Sequence, residues 1–366
     1  MRRSHLQSGD VLLSIIGTVG ETSLVKSTQE ATCSCKLAIL RPKEIEPAYL
    51  AIYLSSSIGR TLTDRWKRGA VQTGLLLEDM DQLPVPRFSV SFERQIADVV
   101  DEAYQALEAS EAFLMQAEEE VFRILGLENW VAPEPLTYTR SSSDVFAAGR
   151  IDSEYHQPKY ENLYCELSTR FQISDLASLG EVSKGITVSY FDDGIIPIVR
   201  SGDLGNIDSD DIFLRSDPTE PVFFLEKGDV LISSIGFGSI GKVQVFDKEG
   251  QYGTVSEVTV VRQKKVNPYY LAAFFRSKAG QMQIERHITG ATGQLHLYPR
   301  DVAKFWIPVL PNSEQFEFES LAKSSVLARK QAVKFLDAAK HAVELAIVKS
   351  EVVAHSFLSG VGKWLD

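Results

Sequence analysis

Three short stretches hold residue types whose spacing could do chemistry. Gly236-Phe237-Gly238-Ser239-Ile240-Gly241 has the Gly-x-Gly-x-x-Gly spacing that lets a backbone close around a pyrophosphate. That use needs a helix N-terminus behind the glycines, and the residues that follow, Lys242-Val243-Gln244-Val245-Phe246, read as a β-strand. Asn267-Pro268-Tyr269-Tyr270 is close to the Asn-Pro-Pro-Tyr of amino-methyltransferases, but it lacks the second proline and no glycine-rich cofactor motif accompanies it. It reads as a helix start. His5, His156, His287, His296, His341 and His355 show neither metal spacing nor a nucleophile constellation. Cys33, Cys35 and Cys165 make neither a disulfide framework nor a zinc signature, and are expected as reduced, partly buried thiols. No catalytic residue, metal or cofactor is expected. The third stretch, Arg65-Trp66-Lys67-Arg68, is the densest basic cluster of the chain and suits a phosphate backbone.

A net charge of -11 opposes nucleic-acid binding only if it is spread evenly. It is segregated: +2 over 1–92, -8 over 93–128, -9 over 129–227, +4 over 228–312 and 0 over 313–366. Two mildly basic segments therefore leave room for an electrostatic footprint on part of the surface. At 366 residues and 44% hydrophobic content the chain is long enough for two to three cores. No run approaches the ~18 apolar residues of a membrane span, and no apolar segment follows the positive start Met1-Arg2-Arg3. A cytoplasmic protein without membrane contact is expected.

Elements that could position such residues are legible from periodicity. Over 92–127, Ile96, Val100, Ala103, Leu107, Ser110, Leu114, Ala117, Val121 and Ile124 recur at steps of four and three, the seam of a pairing helix. Ser91 is its expected N-cap and Gly126 its stop. Such a helix runs on the order of 50 Å, the length of a spacer between two bodies. A second helix, from Glu314 to about Ser350, repeats the seam at Leu321, Ala328, Phe335 and Ala342. Burial at Leu107 and Leu114 is expected in an antiparallel pairing of the two.

The strongest sequence feature is an internal repeat. Gly9-Asp10-Val11-Leu12-Leu13-Ser14-Ile15-Ile16-Gly17 returns 219 positions later as Gly228-Asp229-Val230-Leu231-Ile232-Ser233-Ser234-Ile235-Gly236. Pro47-Ala48-Tyr49-Leu50 returns 221 positions later as Pro268-Tyr269-Tyr270-Leu271, as do Gly59 at Gly280, Gly69-Ala70 at Gly290-Ala291 and the helix seams. Each copy reads as a strand, a glycine turn and a second strand, a further strand, a proline-started helix, a polar loop, a proline exit (Leu83-Pro84-Val85-Pro86 or Ile307-Pro308-Val309-Leu310-Pro311) and the long helix. Before Gly228 about seventy further residues, from near Arg150, read as helix, strands and turns; before Gly9 there are eight. The boundaries expected are a first globule at 1–91, a helix at 92–128, a linker at 129–146, a second globule at 147–312, a helix at 313–350 and a tail at 351–366.

Ile173-Ser174-Asp175-Leu176, Ile196-Pro197-Ile198-Val199, Lys227-Gly228-Asp229-Val230-Leu231, Gly238-Ser239-Ile240-Gly241-Lys242, Pro268-Tyr269-Tyr270-Leu271 and the Ile307 to Pro311 exit before Glu314-Gln315 carry a resemblance. The chain resembles the specificity (S) subunit of type I restriction-modification systems over nearly its whole length. The resemblance implies an α+β fold with two mixed α/β target recognition globules joined by two long antiparallel coiled-coil helices in an internal two-fold repeat. It implies a non-catalytic reader of bipartite double-stranded DNA, with modification (methyltransferase) subunits docked on the helices and a separate restriction (translocase and nuclease) subunit. The chain departs from that pattern in its first globule, which is half the expected size.

DNA contacts are then expected in the second globule at Lys184, Thr187, Arg200, Phe237, Ser239, Tyr252, Thr254, Arg286, His287, Thr292, Gln294 and His296. In the first they are expected at Thr18, Lys26, Arg65, Lys67, Arg68, Gln72 and Thr73. Each of these is equally compatible with a plain exposed loop residue. Partner binding is expected at the acidic Glu118, Glu119 and Glu120, or on the small-residue face of Ala328, Ala332 and Ala339. A homodimer in which two copies assemble head to tail, each contributing its second globule, stays open. So does a scaffold that binds protein through both globules and never touches DNA.

Overall fold

Gly9 and Gly228 each start a strand from a left-handed turn, with φ of 89° and 92°. In a computed structural model, residues 4–27, 29–69, 73–207, 213–236, 238–290 and 295–361 are described. The chain divides into two units, Met1–Ser110 with Leu327–Asp366, and Glu111–Val326. Both mix α and β. In chain order come β1 (Val11–Ser14), β2 (Thr22–Leu24), β3 (Leu37–Leu40), α1 (Pro47–Ser55), α2 (Ser57–Arg65), α3 (Leu77–Met80) and α4 (Val90–Ile124). There follow α5 (Ser142–Ala148), α6 (Pro158–Ser168), β4 (Ile173–Asp175), α7 (Leu176–Leu179), β5 (Gly180–Lys184), β6 (Ile196–Val199), β7 (Leu214–Ser216) and β8 (Phe223–Phe224). The last are β9 (Val230–Ser233), β10 (Val243–Val245), β11 (Gly253–Thr254), β12 (Val258–Gln263), α8 (Pro268–Arg276), α9 (Lys278–His287), α10 (Pro299–Val302), β13 (Trp306–Pro308), α11 (Asn312–Val348) and α12 (Glu351–Val361).

The first unit holds a three-stranded sheet ordered β2-β1-β3, antiparallel throughout. One face of it is sealed by Val11 and Leu13, each 0% exposed. Val11 packs with Tyr49 and Tyr53 of α1, and the same core takes Phe92, Ile96, Val100 and Ala103 of α4 with Phe335, Ala339, Ala342 and Val343 of α11. The tyrosine hydroxyls, buried with their rings, donate to Pro86 O (2.6 Å) and Pro84 O (2.5 Å), which explains why the proline exit lies against this helix.

The second unit has a four-stranded sheet, β10-β9-β12-β5, antiparallel throughout, and a second sheet, β7-β6-β11-β8. Val230, Ile232 and Val261 face a core with Tyr270, Leu271, Phe274 and Phe275 of α8, Ala117 and Val121 of α4, and Phe318 and Leu321 of α11. Leu231, Val258 and Val260 face the other way and pack beneath Ile196, Ile198, Phe213 and Phe246. A sheet buried on both faces reads as continuous aliphatic sequence, which is what Val230-Leu231-Ile232 and Val258 to Val261 show.

The Asp of each Gly-Asp-Val-Leu is a structural charge. Asp10 is 1% exposed and is gripped by Arg41 through Nε–Oδ1 (2.7 Å) and Nη2–Oδ2 (2.8 Å); it also accepts from the Gln7 amide at 2.8 Å. Asp229 does the same with Arg262 (2.9 and 2.7 Å) and the Glu226 amide (2.8 Å). Two-point Arg–carboxylate pairing fixes the turn to the third strand of each sheet.

Several expectations are corrected. The first long helix begins at Val90, not after Ser91: the Ser89 hydroxyl accepts from the Phe92 amide at 3.2 Å and takes the capping position. Leu107 and Leu114 are half-buried, whereas Ser110 is 0% exposed. The expected tail 351–366 contains helix α12, held by Ala354 and Leu358 in the first core and by Glu351, which accepts from the Ser89 amide at 3.0 Å. Cys35 and Cys165 are exposed rather than partly buried. No helix among the described residues is long and apolar enough to cross a membrane.

Candidate nucleic-acid interface

One end of the four-stranded sheet gathers four of the expected residues, Lys184, Thr187, Ser239 and His296. Lys184 pairs with Thr259, Thr259 with Ile232, and Ile232 with Val243, so the end of β5, the start of β12, the end of β9 and the start of β10 share one end of the sheet. Just beyond, Ile186 bridges Val255 and Ile235 bridges His296. The loops carrying Lys184, Thr187, Ser239 and His296 therefore leave from one rigid base. Lys184 and Thr187 are exposed. His296 is half-buried, bridges Thr289, and stacks on the Tyr298 ring at 6.0 Å and 12°, with the Arg300 guanidinium 5.2 Å from that ring.

Two aromatics that the sequence reading did not single out belong here. Tyr190 and Phe191, on the loop after β5, are 44% and 39% exposed. Partial burial and the nearby Glu257 and Asp203 push the Tyr190 hydroxyl up, against the pull of Arg200. Exposed aromatic side chains among polar loop residues were the available signal.

Three other expected contacts, Tyr252, Thr254 and His287, are buried in the fold, and these are corrections, while Arg286, Arg200 and Ser239 stay half-buried with partners inside the chain. Tyr252 is 8% exposed and sits in the core between the two sheets with Phe213 and Phe246. Thr254 is 0% exposed and its hydroxyl donates to Val199 O at 2.8 Å. Its position in strand β11 turns it inward. His287 is 6% exposed, with Nδ1 2.8 Å from Gln283 O, and burial pushes its pKa down to about 4, so it is a neutral core group. Arg286 donates to Tyr155 O at 3.1 Å and lies over the rings of Tyr155 (4.6 Å) and Tyr160 (5.5 Å), packed rather than free. Arg200 forks onto Asp203 (3.0 and 2.9 Å), and the Ser239 hydroxyl donates to Ile235 O at 2.9 Å, closing its own turn. Phe237, Thr292 and Gln294 lie outside the described residues, as does Gln72.

In the first unit the polar loop returns to the sheet in the same way, with Gly74 bridging Ile16 and Arg68. Arg65, Thr18 and Thr73 are exposed. Lys67 is paired with Asp64, and Arg68 with the buried Asp79. Lys26 is paired with Asp101 and lies 4.6 Å from the Tyr104 ring. Arg65 alone of the basic cluster keeps its guanidinium without an ion pair among the described residues.

Glu118, Glu119 and Glu120 line one groove of about 600 Å³ with Phe122, Glu128 and Lys278. Within it Glu118 lies 3.7 Å from Arg276 and burial raises its pKa, while Glu120 holds Arg123. Glu119 is the exposed one. The alternative partner face is closed: Ala328, Ala332 and Ala339 are 7%, 4% and 0% exposed, turned into the chain's own packing. No group of His, Cys, Asp and Glu among the described residues could hold a metal ion.

Residues 168–338 match the family described as "Type I restriction modification DNA specificity domain". No match is found among curated proteins. Among solved structures the chain is similar to the type I restriction-modification system S subunit from M. genitalium, at 13% identity and TM-score 0.36, covering 99% of this chain and 84% of that one. It is also similar to a chain from a structure described as the "structural basis underlying complex assembly and conformational transition of the type I R-M system", at 15% identity and TM-score 0.33, covering 98% and 82%. The middle of the chain, residues 168–338, thus carries the match to a type I restriction modification DNA specificity domain.

Proposed function

We propose that this chain is the non-catalytic sequence-reading subunit of a type I restriction-modification complex, directing methyltransferase and restriction subunits to a bipartite target on double-stranded DNA. The observation that carries the reading is the match of 168–338 to a DNA specificity domain, over residues whose loops leave one end of a rigid sheet. Lys184, Thr187, Tyr190, Phe191 and His296 are the side chains suited to base edges and stacking, and Arg65 and Arg300 to phosphates. In this reading the globules are 1–91 and 147–312, joined by antiparallel helices. The matched Asp10–Arg41 and Asp229–Arg262 forks support a duplicated domain. The order of the cores supports the antiparallel pairing, since the start of α4 shares a core with the end of α11, and its end with the start. The modification subunit would take the groove of Glu119 and Glu120. Methylation mapping with this chain plus a modification subunit tests it. A defined methylated sequence that changes on Lys184→Ala with Thr187→Ala is expected, and methylation indifferent to both would overturn it.

A further inference from the structure

The second unit holds a cavity of about 140 Å³ between α6, α9 and the segment that runs from α10 into β13. Met282, Gln283, Arg286 and His287 recur at three and four residues and so share the face of α9 that lines it, with Tyr160 and Leu163 of α6. The Gln283 amide is spent on Trp306, donating to its carbonyl at 2.9 Å and accepting from its backbone N–H at 2.8 Å, which fixes one wall. Two groups in the lining keep unused donors. Tyr160 is 4% exposed, and its hydroxyl is buried without a hydrogen-bond partner among the described residues. Burial pushes the pKa of that hydroxyl up, so it keeps its proton and can donate. Arg286 spends Nε on Tyr155 O and lays its guanidinium over the Tyr155 and Tyr160 rings, but it has no carboxylate partner among the described residues. Asp152, Glu285 and Asp301 nearby are each taken, by Arg150, Lys159 and Lys304. No carboxylate of the described residues lines the cavity, and His287 is neutral. A water would satisfy the hydroxyl, whereas a half-buried guanidinium without a counter-charge asks for an anion.

We propose that this cavity binds one small oxyanion of the phosphate type, held by the Arg286 guanidinium and the Tyr160 hydroxyl. Its volume suits on the order of five waters and is below the ~300 Å³ of a pocket for a drug-sized ligand, so the occupant is a single ion or a single phosphodiester group. The planar arginine fork matches two oxygens of such an anion, and Tyr160 donates to another. Lys304, shared with Asp301, adds charge where the cavity meets solvent. The apolar walls of Leu163 and Met282 strengthen both contacts by excluding water. Helix α9 ends at His287, and Thr289 bridges His296 two residues on, so an ion here braces the base of the polar loop. A free ion would do so whether or not the chain reads DNA, and the two readings can fail separately.

Calorimetric titration of the full chain with inorganic phosphate, at an ionic strength held constant with chloride, should show saturable binding of one ion per chain and a raised melting temperature. Arg286→Gln should weaken that binding by about tenfold or more, the effect of losing a hydrogen bond to a charged group. Tyr160→Phe removes a single oxygen and covers the case in which Arg286→Gln does not fold. It should melt no lower than the parent in chloride, since the oxygen it removes is a buried hydroxyl without a partner, and should still lose about tenfold in phosphate affinity. A second arm titrates the chain plus a modification subunit with duplex DNA in phosphate-free buffer. If Tyr160→Phe weakens duplex binding, the occupant is a DNA phosphate; if it weakens binding of free phosphate alone, the occupant is the free ion. If it weakens neither, the inference is overturned, because the cavity then holds water only and any phosphate bound is adventitious.

Discussion

His287 shows how burial decides between two readings of one residue. Its ring is enclosed by Tyr155 and Phe305 at 5.5 and 5.2 Å, and its pKa falls from 6.5 to about 4. Above pH 6.5 folded and unfolded chains both hold it neutral. Between 6.5 and 4 the unfolded chain takes up a proton that the folded one refuses, so stability is lost as pH falls through that window, by about 3 kcal/mol at most. Urea denaturation of the second unit at pH 7 and pH 5 should show this loss, and His287→Gln should flatten it. At the basic cluster the ion pairs separate roles that the sequence lumped together. Arg65→Ala should weaken DNA binding evenly across sequences and lower the salt slope by about one. Lys67→Ala, which breaks the pair with Asp64, should do less, and a binding titration at several salt concentrations compares them directly.

At the scale of elements, the two helix pairs α1/α2 and α8/α9 meet at a glycine that no alternative residue fits. A Cβ on Gly59 would stand 2.1 Å from Tyr53 O, and one on Gly280 2.3 Å from Phe274 O. Both obstacles are backbone, so Gly59→Ala and Gly280→Ala should each cost about 3 kcal/mol or more by forcing the helices apart. Denaturant midpoints of the two variants check this. The long helix responds unevenly: Ile96→Ala, at a fully buried position, should cost about 2–5 kcal/mol, and Leu107→Ala about 1 kcal/mol because it is only half-buried. Periodicity made both long helices legible, since Ile96, Val100, Ala103, Ser110, Ala117 and Val121 all face inward as the spacing requires. It did not reveal the depth of burial at Leu107 and Leu114, which depends on what packs beside each turn. Polar loop composition was a weaker guide still. Tyr252, Thr254 and His287 looked like binding residues because Tyr, Thr and His serve equally well inside a core once their polar atoms find partners.

At the scale of the whole molecule, the units differ in the polar and aromatic side chains they expose, which decides how each would read DNA under the proposed function. The second offers Lys184 at the end of β5, Thr187, Tyr190 and Phe191 on the segment joining its two four-stranded sheets, and the His296, Tyr298 and Arg300 group on the return from the polar loop. Among the described residues the first unit has a single sheet, with Thr18, Arg65 and Thr73 exposed. Phosphate contacts hold register without selecting sequence, whereas polar and aromatic groups at base edges select it. As the chain stands, the sequence preference should therefore follow the second unit. Tyr190→Ala with Thr187→Ala should relax or change the methylated sequence at one cluster of positions, with an energy of about 1–3 kcal/mol per lost base contact. Arg65→Ala should lower methylation at every site in proportion. Deep sequencing of methylated positions in a randomised DNA pool, with this chain, its two variants and a modification subunit, separates the outcomes. Two equally strict half-sites from a monomeric subunit, both indifferent to Thr187 and Tyr190, would sink the assignment and place the reading surface in the residues of the first unit instead.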